Sequence, residues 1–108
     1  MARNDLQGSL DLLVLKTLAQ TREMHGYGIV LHIQRVSDEL LSVEEGSLYP
    51  ALHRMEQSGW IGSEWKTTET NRRAKYYRLT NAGRKHLLEA ERGFEQLVKG
   101  IRAVLHYA

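Results

Sequence analysis

Apolar residues recur with helical spacing in four segments of this chain and with strand-like alternation between the third and the fourth. In "GSLDLLVLKTLAQT", residues 8 to 21, Leu10, Leu12, Leu13, Val14, Leu15 and Leu18 wrap most of a helical circumference. A helix apolar nearly all round is one buried on several sides. A second helix is predicted after "MHGYG", with Tyr27, Val30, Ile33 and Val36 as its inward stripe. A third lies in "EEGSLYPALHRMEQSGWI", residues 44 to 61, where Leu48, Ala51, Leu52 and Met55 mark one face and Gly59 supplies the stop. The pattern then changes. "WIGSEWK" and "AKYYRLT" suit short strands rich in Trp and Tyr, and the polar "TTETNRR" between them suits a loop tip. In the second strand Lys75, Tyr77 and Leu79 share one face, and Tyr76 and Arg78 the other.

From Thr80, a plausible N-cap, to about Leu105 the spacing is helical again. Leu87, Ala90, Phe94, Leu97, Ile101 and Val104 alternate steps of three and four, which is a heptad seam. At 1.5 Å per residue such a helix spans about 39 Å. The rest of a small domain does not cover that length, so a second copy of the chain is the natural cover and those six residues are the expected dimer interface. Gly93 and Gly100, one heptad apart, each precede a seam residue and suggest close backbone approach or room for a partner's bulky side chain, with two tolerated exposed glycines as the plainer alternative.

The predicted fold is mainly α with a small β-hairpin: a winged helix-turn-helix, residues 1–80, continuing into a long C-terminal dimerisation helix, residues 81–108, the two forming one compact unit. In this arrangement the third helix enters the major groove of DNA and the wing lies along the backbone or an adjacent groove. The helical wheel also accounts for Pro50, the chain's one proline. With Leu48, Leu52 and Met55 inward, the opposite face presents Gly46, Pro50, His53 and Gln57, flanked by Ser47, Tyr49 and Arg54. The carbonyl that the proline ring crowds belongs to Gly46, which adjusts its backbone without a side-chain clash. A small Gly and a flat Pro let the helix approach base edges closely, and the ring can meet a thymine methyl.

Composition narrows the function further. The chain has 108 residues, 42% of them apolar, which fits a single folded domain. It has no cysteine, so disulfides and thiolate metal sites are excluded. No apolar run approaches the length of a membrane span, and "MARNDLQGSL" lacks the apolar core of a signal peptide, so no membrane partner is expected and the expected location is the cytoplasm. The net charge is only +2, with a pI near 9.0. Its distribution is more informative: Lys66, Arg72, Arg73, Lys75 and Arg78 fall in one window, opposed mainly by Glu64 and Glu69. A local basic patch is a better sign of nucleic acid than a small global excess.

"GSLYPALHRMEQSGWI" followed by "RRAKYYRLTNAGRKHL" resembles the PadR family of transcriptional regulators, and "HGYGI" and the Leu-rich first helix agree with it. The resemblance covers essentially the whole chain and looks like the short form with a single C-terminal dimerisation helix. It implies a homodimer that binds double-stranded DNA at an inverted-repeat operator, usually as a repressor. It also implies a small-molecule effector, with phenolic and other aromatic compounds as the candidates. The last helix carries Phe94 and Tyr107 but no Trp with which to stack such a ligand between subunits.

The candidate DNA-binding residues are Ser47, Tyr49, Pro50, His53 and Arg54 on the third helix and Arg72, Arg73 and Lys75 on the wing. His25 and Tyr27 join them at the start of the second helix, where backbone donors attract phosphate. Each has a plainer reading. Arg54 can pair with a nearby acid, His25 and Tyr27 can cap the helix or enter the core, and the wing cations can be a solvated tip. Trp60 and Trp65 read as wing and core packing, with a ligand site lined by either as the less favoured alternative. Glu44 and Glu45 at a helix start complement its dipole more simply than they make a catalytic pair. The five histidines lack close ligand spacing, so no metal, cofactor or enzymatic activity is expected. Two rivals remain: a winged-helix module for protein contacts only, which would lose the basic wing and the small outward face, and a small enzyme, which would need convergent titratable groups.

Overall fold

A computed structural model describes residues 9–107. The expected helix start at residue 8, the stretch before it and the final residue lie outside the described part. Helix α1 (Leu10–Ala19) is followed by a short strand β1 (Met24–His25), helix α2 (Gly26–Val36) and helix α3 (Glu45–Gln57). Strands β2 (Ile61–Thr67) and β3 (Arg73–Leu79) come next, and helix α4 (Asn81–Leu105) closes the chain. The four helices and the hairpin are those the apolar spacing predicts.

The core forms where the apolar faces of α1, α2 and α3 meet the root of the hairpin. Leu15, Leu18, Ile29, Leu48, Leu52 and Met55 are fully buried, and Ile61 and Tyr77 close the layer from the sheet. Interlocking apolar side chains on three helices fix how α3 is held. The turn from α3 into β2 passes through Gly59 at φ 82°, the left-handed region that glycine enters without penalty.

Two features of the sheet and of α2 differ from the sequence reading. The sheet has three strands in the order β1-β3-β2, because Met24 pairs with Tyr77 and His25 with Tyr76. A two-residue strand has no periodicity to detect. The inward stripe of α2 is also rotated: Gly26, Ile29 and Ile33 are buried, whereas Tyr27 is 55% and Val36 66% exposed. Steps of three residues fall behind an α-helix by about 60° each, so a 27, 30, 33, 36 stripe drifts half a turn from one end to the other. Only its middle, Val30 and Ile33, meets the core.

Helix α4 joins this body through its first three turns. Thr80 caps it, its Oγ1 accepting from the Gly83 amide at 3.0 Å and donating to the Gly59 carbonyl at 2.6 Å. The Thr80 amide donates to the Trp60 carbonyl at 3.1 Å, and the His86 ring stacks on Trp60 with centroids 3.7 Å apart. Leu87 is only 4% exposed and belongs to the core of the same chain. This corrects the expectation that Leu87 opens the dimer seam: the seam's first residue is already covered by its own chain. Ala90 is half-buried, and Phe94, Leu97, Ile101 and Val104 are exposed beyond it. Among the described residues, no helix is long and apolar enough to cross a membrane.

Candidate nucleic-acid interface

Helix α3 turns Leu48, Ala51, Leu52 and Met55 inward. Its other face leaves Gly46, Ser47, Pro50, His53 and Gln57 exposed, with open space around Gly46. The sequence-predicted reading face is therefore solvent-facing, low in profile and held from behind by a packed core. Its first turn closes on the Glu44 carbonyl, which accepts from the amides of Ser47 and Leu48 at 3.0 Å each.

Tyr49 sits at the edge of this face, 43% exposed. Its ring lies over the start of α2, so close to Gly26 that a methyl there would stand 2.6 Å from the phenol oxygen. Burial, and after it the charge of Glu45, pushes the phenol above its ordinary pKa. The hydroxyl is therefore protonated at neutral pH and available as a donor. His25 caps α2, its Nδ1 accepting from the Gly28 amide at 3.0 Å, while its ring meets the edge of Tyr76 at 5.3 Å. With Nδ1 as acceptor, the neutral ring carries its proton on Nε2. The capping reading of His25 thus holds, and exposed Tyr27 follows it at the first turn.

Beside this edge the wing encloses a groove of about 900 Å³. His25, Tyr27 and Tyr49 line one side, and Trp65, Arg72, Arg73 and Lys75 line the wing side, with Glu69 as the acid among its lining residues. The hairpin tip is built for the turn: the Thr68 amide bonds to the Arg72 carbonyl at 2.6 Å, and Asn71, a residue tolerant of the left-handed region, takes φ 63°.

The basic residues are not equivalent. Arg54 is bound to Asp11 of α1 by two hydrogen bonds of 2.7 and 3.0 Å, which favours the plainer reading of this candidate over phosphate contact. Lys66 pairs with Glu23 at 2.6 Å, and Lys75 with Glu56 at 3.3 Å. A hydrogen bond from Ser63, and after it Lys75, holds the Glu56 carboxyl below the usual carboxylate range. Among the described residues Arg72 and Arg73 have no carboxylate partner. Arg78 on β3 has none either, but only Arg72 and Arg73 of these three line the groove, where they can meet an external anion.

The fold brings together eight of the candidates, namely His25, Tyr27, Ser47, Tyr49, Pro50, His53, Arg72 and Arg73, along the α3 face and the adjoining groove. Lys75 lines the groove but is neutralised, and Arg54 is occupied elsewhere. Sequence reasoning placed Trp65 in packing; it is 57% exposed and carries Arg73 over its ring at 5.5 Å. The signal was its place across the hairpin from Lys75, on the face that also carries Arg73 near the basic tip. The exposed apolar residues of α4 are a separate feature, where Leu97, Ile101, Val104 and Leu105 border a shallow groove beside Gly100. No cluster of metal-ligating side chains occurs among the described residues.

Comparison with known proteins agrees with this architecture. The family model described as "Transcriptional regulator PadR-like family" matches residues 14–89. The chain is 36% identical over 83 residues to the protein named Transcriptional regulator Rv3488 of Mycobacterium tuberculosis, a match covering 77% of this chain and 74% of that one. A transcriptional regulator from Clostridium thermocellum has a similar structure, with TM-score 0.83 and 32% identity over 92% of this chain and 95% of the other. A PadR-like transcriptional regulator from Bacillus cereus gives TM-score 0.79 at 26% identity, over 95% and 97% of the two chains.

Proposed function

This chain belongs to the PadR-like family of transcriptional regulators, a family of DNA-binding regulators rather than enzymes, and from that premise we propose that it is a homodimeric repressor of an inverted-repeat operator. The observation that carries the reading is the juxtaposition of the exposed, low-profile α3 face with a groove lined by two unpaired arginines. Residues 1–80 supply the reading head. Ser47, Tyr49, Pro50 and His53 approach base edges, and Arg72 and Arg73 meet phosphates. Residues 81–108 join two copies through Ala90, Phe94, Leu97, Ile101 and Val104. Binding excludes other proteins from the operator, and no bond is made or broken. Release by a small aromatic effector belongs to the same proposal.

Retention of genomic DNA fragments by the pure protein, followed by sequencing, tests it. The expected product is a small set of fragments sharing an inverted repeat with half-sites about one helical turn apart. Retention without a shared motif at physiological salt contradicts the operator reading. No retention at low salt points to a protein-contact module instead. Sedimentation of the free protein checks the dimer, and adding phenolic compounds to the bound complex checks release.

A further inference from the structure

The pairing of β2 with β3 fixes which wing residues share a side. Trp65 lies opposite Lys75 and Thr67 opposite Arg73, so Trp65, Arg73, Lys75 and the buried Tyr77 project from one face of the ribbon. An exposed indole alone is unremarkable on a protein surface. What distinguishes Trp65 is the guanidinium held 5.5 Å from its ring centroid, inside the range of a cation–π contact. Lys75, directly across the ladder from Trp65, is neutralised by Glu56, whereas Arg73 has no acid partner among the described residues. Both Trp65 and Arg73 line the groove beside α2 and α3.

We propose that Trp65 is the positioning residue of a phosphate clamp: its ring face holds Arg73 ready in the groove to meet the DNA backbone. A long, unpaired arginine loses rotamer freedom when it binds, and one already held against a ring loses less of it. A cation–π contact engages the guanidinium charge without using up its N–H donors, which stay available to phosphate oxygens. The indole thus contributes to an electrostatic contact without carrying charge. The clamp rests on the DNA-binding reading given above and adds to it a neutral residue on which one phosphate contact depends.

That combination has a distinctive signature. Each phosphate neutralised contributes about 0.9 to the slope of log affinity against log salt concentration. Binding to a mixed-sequence duplex is measured across a salt series for the wild type, Arg73→Ala, Trp65→Ala and the double variant. The slope is expected to fall by about 0.9 in Arg73→Ala and by a similar amount in Trp65→Ala, although the latter removes no charge. The double variant is expected to fall no further than either single one. Trp65→Phe, which keeps an aromatic face, should hold most of the wild-type slope. Should Trp65→Ala unfold, Trp65→Leu, bulky but without a π face, makes the same comparison. A wild-type slope in the folded Ala or Leu variant overturns the clamp, as does an additive loss in the double variant. Absence of salt-dependent binding by the wild type overturns the DNA-binding reading itself.

Discussion

Arg54 of the third helix grips Asp11 of the first with both terminal guanidinium nitrogens, at 2.7 and 3.0 Å. The hydrogen bonds, and after them the Asp11 charge, raise the Arg54 pKa further above an already high value. The pair ties α3 to α1, and α1 is tied in turn to α4 by Lys16 and Glu91 at 3.2 Å. Both pairs are largely solvent-exposed, so each contributes no more than about 1 kcal/mol. Their consequence is positional: they fix α3 and α4 against one shared helix.

Arg54→Ala is therefore expected to lower stability by up to about 1 kcal/mol and to leave the salt dependence of DNA binding unchanged. Denaturant melts and a salt titration check both halves. A slope lower by about 0.9 with an unchanged melt would move Arg54 from Asp11 to a phosphate in the complex.

The three glycines of α4 are expected to respond in opposite ways. A Cβ at Gly83 would run into the backbone carbonyl of Trp60 and reach within 2.8 Å of the Leu79 side chain, while Gly93 and Gly100 have nothing within 4 Å. Gly83→Ala must push α4 away from the α3–β2 turn and break the Thr80 contacts, at a cost of about 1–3 kcal/mol. Gly93→Ala and Gly100→Ala should each stabilise the isolated chain by about 0.5–1 kcal/mol through helix propensity. Thermal melts at low protein concentration, where a dimer contributes least, measure both. A stabilised Gly83→Ala would contradict the close packing at Trp60.

Long periodic segments were legible in the sequence because one dominant force, burial of an apolar face, shaped them. The α3 face, the hairpin and the Thr80 cap follow directly from spacing and residue type. The short β1 strand was not legible, since its two residues are held by pairing with Tyr76 and Tyr77, far along the chain. The α2 stripe failed for a different, local reason: steps of three drift round the helix, and Ile29, not Tyr27 or Val36, shares the buried face with Ile33. The candidate interface was half legible. Charge and exposure were visible, but the partners that divide free arginines from neutralised cations lie on distant elements: Asp11, Glu23 and Glu56.

The apolar run along α4 divides the same way. Leu87 is buried within its own chain, whereas Ile101, near the far end of the helix, is 48% exposed among the described residues. Leu87→Ala is expected to cost about 2–5 kcal/mol of fold stability. Ile101→Glu should leave the fold of each chain intact and abolish the proposed dimer, because a carboxylate pair would be buried at the seam. Sedimentation equilibrium with circular dichroism separates the two outcomes. An Ile101→Glu dimer as tight as the wild type would place the interface elsewhere.

Tyr49 and Gly26 are coupled by contact, and that coupling can be measured. A methyl at Gly26 would lie 2.6 Å from the Tyr49 hydroxyl and 2.8 and 2.9 Å from two ring carbons. The phenol is the far end of a mobile side chain, so Gly26→Ala should swing it aside rather than unfold the domain. The displaced ring would leave the α2 start and alter the edge of the α3 face, weakening specific DNA binding while generic binding persists. Tyr49→Ala removes the obstacle, and Gly26→Ala made in that background should cost nothing or stabilise slightly. The interaction energy from the four proteins is expected in the range of about 0.5–3 kcal/mol, as for residues in direct contact. Additive effects would mean that the ring relaxes freely and is not held by α2. Tyr49→Phe separates packing from recognition. It keeps the ring over Gly26, so stability should stay near that of the wild type, and any loss of operator affinity reports the phenol hydroxyl as a donor to DNA.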